Sequence, residues 1–181
     1  MRNTTETYGT VSKVLHWILA FAIIALLTVG LIMTRMDNSD TKWFVYGIHK
    51  AIGFCVLMVV LFRVFWRATG DNPQPPADLP NWQQKAGTNA HYALYLLMIV
   101  APTTGVLMSL LGGHPINLFG LYTIPAIFDP GIPIAKNFNS AHTYIGYVFI
   151  ALIALHIGAA LYHHYFRRDN VLKRMMPGSD N

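Results

Sequence analysis

The chain has 181 residues, of which 54% are hydrophobic and 12% charged, with a formal net charge of +5. This composition excludes an ordinary water-soluble globule and points to a single membrane domain over residues 1–181. The charge does not indicate nucleic acid, because Lys and Arg lie at the ends of apolar stretches and not on a polar face interleaved with aromatics.

The first thirteen residues are polar, and no small-residue cleavage site follows the first apolar stretch, 14–33. That stretch therefore reads as a retained transmembrane helix and not as a cleaved signal peptide. The second span covers 46–66, with Arg63 near its end, where a long side chain can snorkel to the interface. Cys55, the one cysteine, lies inside it as small apolar packing, so no intramolecular disulfide forms and any haem would be held non-covalently. The link that follows, 68–88, contains Pro73, Pro75, Pro76 and Pro80 and reads as a stiff surface loop.

The third span, 90–111, carries Pro102, which should kink it while Thr103 and Thr104 help satisfy freed backbone groups. The next link, 112–139, holds Leu118, Phe119, Leu121, Tyr122, Ile127 and Phe128. It is too apolar for a free loop and is expected to fold back over the end of the bundle as a lid. The fourth span runs over 140–165.

Four spans put both termini on one side. Arg2, Lys13, Arg63, Arg67, Lys85, Arg167, Arg168, Lys173 and Arg174 fall on that side, and Arg35, Lys42, Lys50 and Lys136 on the other. This bias places both termini in the cytoplasm. Trp17, Trp43, Trp66 and Trp82 lie at or near span ends, as interfacial anchors do.

Ionisable residues inside spans are costly, which makes the histidines candidates for function. With the termini inside, His16 is near the inner end of the first span and His49 near the outer end of the second; in the fourth, His142 is outer and His156 inner. His142 and His156 are separated by about 21 Å of helical rise and share one face. Depth pairs His16 with His156 and His49 with His142. A small residue follows each of the four one turn on, namely Ala20, Gly53, Gly146 and Ala160, leaving room for a flat macrocycle, whereas His91 is followed by Tyr95. Two separated pairs suit bis-imidazole haem iron better than zinc, which gathers three or four ligands around one point.

His163 continues the His156 stripe at the inner boundary, and His91, Arg63, Arg67, Lys85 and Arg167 share that side. This rim reads either as positive-inside topology against lipid headgroups or as a haem-propionate and quinone-headgroup site. On the outer side, Lys50 and its neighbours read as solvated loop charges or as a field steering a small anion. His114 reads as a loop residue.

The stretches Lys13-Val-Leu-His-Trp17, Gly47-Ile-His49, His91-Tyr-Ala-Leu-Tyr-Leu-Leu97 and, above all, His156 through Asn170 running on to Met175-Met-Pro177 resemble the bacterial cytochrome b561 family over nearly the whole chain. The resemblance implies an all-α four-helix bundle in the bacterial inner membrane, binding two b-type haems through His16, His49, His142 and His156. It also implies electron exchange with ubiquinone, and it makes His91 and His163 candidate quinone or substrate contacts. Members include a superoxide oxidase, so a superoxide:ubiquinone oxidoreductase is the leading expectation. The same plan serves cytochrome b subunits of hydrogenases and formate dehydrogenases, so an electron conduit for a periplasmic partner protein is the alternative. A histidine-rich metal transporter is a third reading.

Overall fold

A computed structural model describes residues 2–75 and 78–178, so Pro76 of the proline-rich link lies outside the described residues. Four helices carry the architecture: α1 Thr10–Met33, α2 Asp40–Ala68, α3 Asn81–Leu111 and α4 Pro133–Tyr162. All four are long and apolar enough to cross a membrane, α4 together with the turn that follows it to Arg167.

Each helix starts earlier than its apolar stretch. Hydropathy marks the part that crosses lipid, whereas the helix begins where its first free N–H groups can be capped or dispensed with. The Ser39 hydroxyl accepts from Lys42 N–H at 3.3 Å ahead of α2. Pro133 occupies the first turn of α4, where its missing N–H costs nothing. The links consequently shrink to 69–80 and 112–132.

The outer link is not wholly irregular. Strands β1 Ile116–Leu118 and β2 Tyr122–Ile124 form an antiparallel hairpin with Ile116 opposite Ile124. Ile116 is buried against the bundle, and Lys50 Nζ donates to the Pro115 carbonyl at 2.8 Å. The hairpin thus folds back onto α2 and α3. Its tip stays open, with Leu121 90% exposed. Lys50, one of the outer cations, is tied to this loop.

The core is narrow: Leu19 and Ile23 of α1, Val56 and Val60 of α2, Ala101 of α3 and Phe149 of α4. Phe21, Leu96 and Leu155 face outward. Such exposure would be unfavourable in water at about 25 cal/mol per Å², but a lipid-facing surface requires it. Backbones pack in the order α1 on α2, α2 on α3 and α3 on α4. Among the described residues, α4 approaches neither α1 nor α2 as closely as it approaches α3. Those two looser interfaces are the ones the histidines cross.

At one end, the termini and the 69–80 link interlock. Arg2 donates to the Thr69 carbonyl at 3.3 Å, Gln74 N–H to Thr5 at 2.9 Å, and Arg174 to the Gln74 carbonyl at 2.8 Å. Trp17 Nε1 donates to the Met175 carbonyl at 2.9 Å, folding the tail back onto α1.

Candidate functional site

Two histidine pairs bridge α4 to its looser neighbours. The rings of His16 and His156 have centroids 6.3 Å apart, and those of His49 and His142 are 6.4 Å apart. These are the pairs that depth in the membrane selects. The rings are inclined at 65° and 86° and are too far apart to be stacked. Two imidazoles that each place a nitrogen about 2 Å from one metal ion, on opposite sides, have centroids a little over about 6 Å apart. Both pairs match that separation.

The local sequence explains the room around them. A Cβ built on Gly53 or Gly146, one turn beyond His49 and His142, would meet nothing within 4 Å. Space is therefore open beside both outer histidines, as a flat macrocycle requires. Among the described residues no three His, Cys, Asp or Glu side chains converge as a metal cluster would need, which sets the arrangement apart from a zinc site.

His142 is oriented by α3. Its Nδ1 donates to the Ala101 carbonyl at 2.8 Å and lies 3.3 Å from Thr104 Oγ1. A carbonyl only accepts, so Nδ1 carries the proton and Nε2 presents its lone pair, the tautomer a metal needs. Thr104 Oγ1 also donates to the Ala101 carbonyl at 2.8 Å, and Thr103 to that of Ile99 at 2.7 Å. The hydroxyls thus add bonds where Pro102 interrupts the ladder.

Gly105 and Gly30 lie against the His142 and His49 rings, a placement that the spans alone do not reveal. A Cβ on Gly105 would lie 2.9 Å from His142 Cε1, and one on Gly30 would lie 3.5 Å from His49 Cε1. The available signal was Gly105 one turn after Ala101, in a helix already marked by Pro102. Because His142 is held by its hydrogen bonds, Gly105→Ala is expected to displace the ring and disturb the outer site, with Gly30→Ala close to neutral. Low-spin haem spectra of the two variants check this, and an unchanged Gly105→Ala spectrum would contradict it.

The inner site is more crowded. His91 lies 5.6 Å from His156 by ring centroids, nearer than His16. Arg63 does not snorkel outward. It turns into the bundle because acceptors are there: Nε donates to Tyr95 Oη at 3.2 Å, Nη1 reaches the Ser12 carbonyl at 3.5 Å, and Nη2 lies 3.5 Å from His16 Nδ1. The Arg63 and Arg67 guanidiniums sit 5.8 Å and 5.4 Å from the Tyr95 ring centre. Among the described residues neither has a carboxylate in salt-bridge range. A narrow cleft lined by Ser12, Arg63, Arg67 and Tyr95 opens here.

Beyond α4, a single π-turn spans His163–Arg167. His163 Nδ1 lies 2.5 Å from Asp169 Oδ2, Arg167 Nε donates to the same oxygen at 3.3 Å, and Arg167 Nη2 reaches Asp78 Oδ2 at 3.0 Å. Burial pushes the Asp169 carboxyl up, but hydrogen bonds from His163, Val171 N–H and Arg167, with the His163 charge, outweigh it and hold the group below its ordinary value. Arg167 is thus already paired with two carboxylates. His114 lies in the turn after α3, where its N–H donates to the Ser109 carbonyl at 2.9 Å.

The family model for prokaryotic cytochrome b561 matches residues 7–178. Cytochrome b561 homolog 2 of Escherichia coli (strain K12) is 31% identical over 181 residues, covering 99% of this chain and 96% of that protein. Cytochrome b561 homolog 1 of the same organism is 32% identical over 167 residues, covering 90% and 93%. The probable superoxide oxidase CybB of Yersinia pestis is 26% identical over 174 residues, covering 95% and 97%.

Proposed function

Because the chain belongs to the prokaryotic cytochrome b561 family, we propose that it is a two-haem cytochrome that takes single electrons from superoxide at the outer face and delivers them to ubiquinone at the inner one. Membership itself makes it a multi-pass protein of the bacterial inner membrane that binds b-type haem and transfers electrons. The observation that carries the finer reading is the matched separation of the two histidine pairs, 6.3 Å and 6.4 Å.

On this reading His16 and His156 hold one haem b, His49 and His142 the other, and the haems supply one-electron carriage. The chain does the rest. The Ala101 carbonyl keeps His142 in its ligating tautomer, and α3 fixes how far α4 stands from α1 and α2. At the inner end Arg63 and Arg67 are cations without carboxylate partners among the described residues, suited to haem propionates, with Arg167 a further contact if it releases an aspartate. His91 and His163 flank His156 as contacts for the quinone headgroup. The excess of Lys and Arg at the interlocked end sets the termini in the cytoplasm.

Superoxide as donor draws its support from the relative named a probable superoxide oxidase. The purified protein, given a superoxide generator and ubiquinone, is expected to reduce quinone and consume superoxide at two superoxide per quinone. No quinone reduction above the protein-free rate would remove both assignments. A second reading, an electron conduit for a periplasmic dehydrogenase, is favoured by the open hairpin tip, where Phe119, Leu121 and Tyr122 are exposed without a charge among them. Stable co-purification of such a partner would support it.

A further inference from the structure

We infer that Asp169 is a positioning residue that fixes His163 in one tautomer, with the proton on Nδ1 and Nε2 turned to the quinone; this rests on the inner-face ubiquinone reading above. The backbone makes the arrangement. In the π-turn the His163 carbonyl accepts from the N–H groups of both Arg168 and Asp169, the latter at 3.2 Å. Arg168 is held at φ 57°, a left-handed conformation that is unfavourable for a side chain of its size. That reversal carries Asp169 back over the helix end, onto the residue six positions before it.

The carboxylate is then held from several directions. Oδ2 meets His163 Nδ1 and Arg167 Nε, and Oδ1 accepts from Val171 N–H at 3.1 Å. Arg167 is itself tied to Asp78 of the 69–80 link. An ionised carboxylate only accepts hydrogen bonds, so the proton lies on Nδ1. The other ring nitrogen of His163, Nε2, has no protein partner among the described residues. His163 lies seven residues beyond His156 on the same stripe, about 10 Å along the axis.

A quinone takes two electrons and two protons to become a quinol. The electrons are those delivered from superoxide. One proton leaves imidazolium Nε2 for a quinone oxygen, breaking N–H and forming O–H, and His163 is recharged from cytoplasmic water. The second proton follows the same route, taken up by Nε2 from cytoplasmic water and passed to the other quinone oxygen. In this role Asp169 touches no reactant. It prevents the ring from presenting a protonated Nδ1 in place of Nε2.

The test uses the purified holoprotein, reduced and diamagnetic, labelled with ¹⁵N-histidine, in wild-type, Asp169→Asn, Asp169→Glu, Asp78→Asn and His163→Gln forms. Missing resonances in His163→Gln identify the ring. Wild type and Asp78→Asn are expected to show a single neutral tautomer with the proton on Nδ1, and Asp169→Asn a mixture. Asp169→Asn is also expected to lower kcat for quinone about tenfold with KM unchanged and both haem spectra intact, and Asp169→Glu to restore most of it. An unchanged tautomer in Asp169→Asn, with His163→Gln still slow, would overturn the role of Asp169 alone. Full quinone turnover in His163→Gln would instead overturn the placement of quinone at His163.

Discussion

His142→Ala is expected to leave one low-spin haem in place of two, with the remaining one spectroscopically unchanged. On the assignment proposed above His142 is the outer ligand supplied by α4, and its ring is fixed by two contacts to α3, the Ala101 carbonyl at 2.8 Å and Thr104 Oγ1 at 3.3 Å. Alanine removes the imidazole and leaves that carbonyl without its cross-helix donor, so nothing from α4 can substitute within reach. The inner pair does not depend on it, because His16 and His156 lie about 21 Å along the axis, near the other boundary. Haem content should fall by about half, since each bis-histidine site needs both of its ligands. Haemochrome analysis with electron paramagnetic resonance checks this; two low-spin signals in His142→Ala would refute the pairing. Thr104→Ala is a milder probe, since loss of an outer hydrogen-bonding partner commonly costs about 10–100-fold in metal affinity.

The second large effect separates two histidines that compete for one role. His91 stands closer to His156 than His16 does, 5.6 Å against 6.3 Å. Proximity alone would favour His91 as ligand. The separation argues otherwise, because 6.3 Å matches the 6.4 Å of the outer pair and is the spacing that two imidazoles bound to one metal ion would need. Tyr95, one turn beyond His91, fills space in which it is bonded to Arg63 at 3.2 Å. His16→Ala is therefore expected to lose the inner haem. His91→Ala is expected to keep both haems and to slow quinone reduction about tenfold, within the usual contribution of a positioned acid or base. Loss of a haem in His91→Ala, with two retained in His16→Ala, would exchange their roles.

Much of the bundle was legible because membrane helices obey one strong rule, continuous apolar length. That rule does not see capping, which is why Pro80 and Pro133 begin helices inside what hydropathy treats as links. The partnership of His16 with His156 could be reached from depth, a one-dimensional quantity. The crowding of His91 against His156 could not, because it depends on how α3 is rotated about its axis. Gly105 carries no signal of its own beyond standing three residues after Pro102, since its use lies in what a neighbouring helix places against it. Asp169 falls within the family-like stretch from His156 to Asn170, where nothing in its spacing marks a partner. The left-handed Arg168 that turns it back onto His163 has no sequence signature comparable to a glycine.

Both histidine pairs draw one member from α4, the last of the four long helices. During synthesis, then, neither pair exists until the ribosome has entered the final span. A nascent chain ending anywhere before His142 carries only unpaired imidazoles, and one ending between His142 and His156 can complete only the outer site. On the ligand assignment proposed above, cofactor capture is for this reason a late event, and a chain cut short before His142 leaves the ribosome colourless.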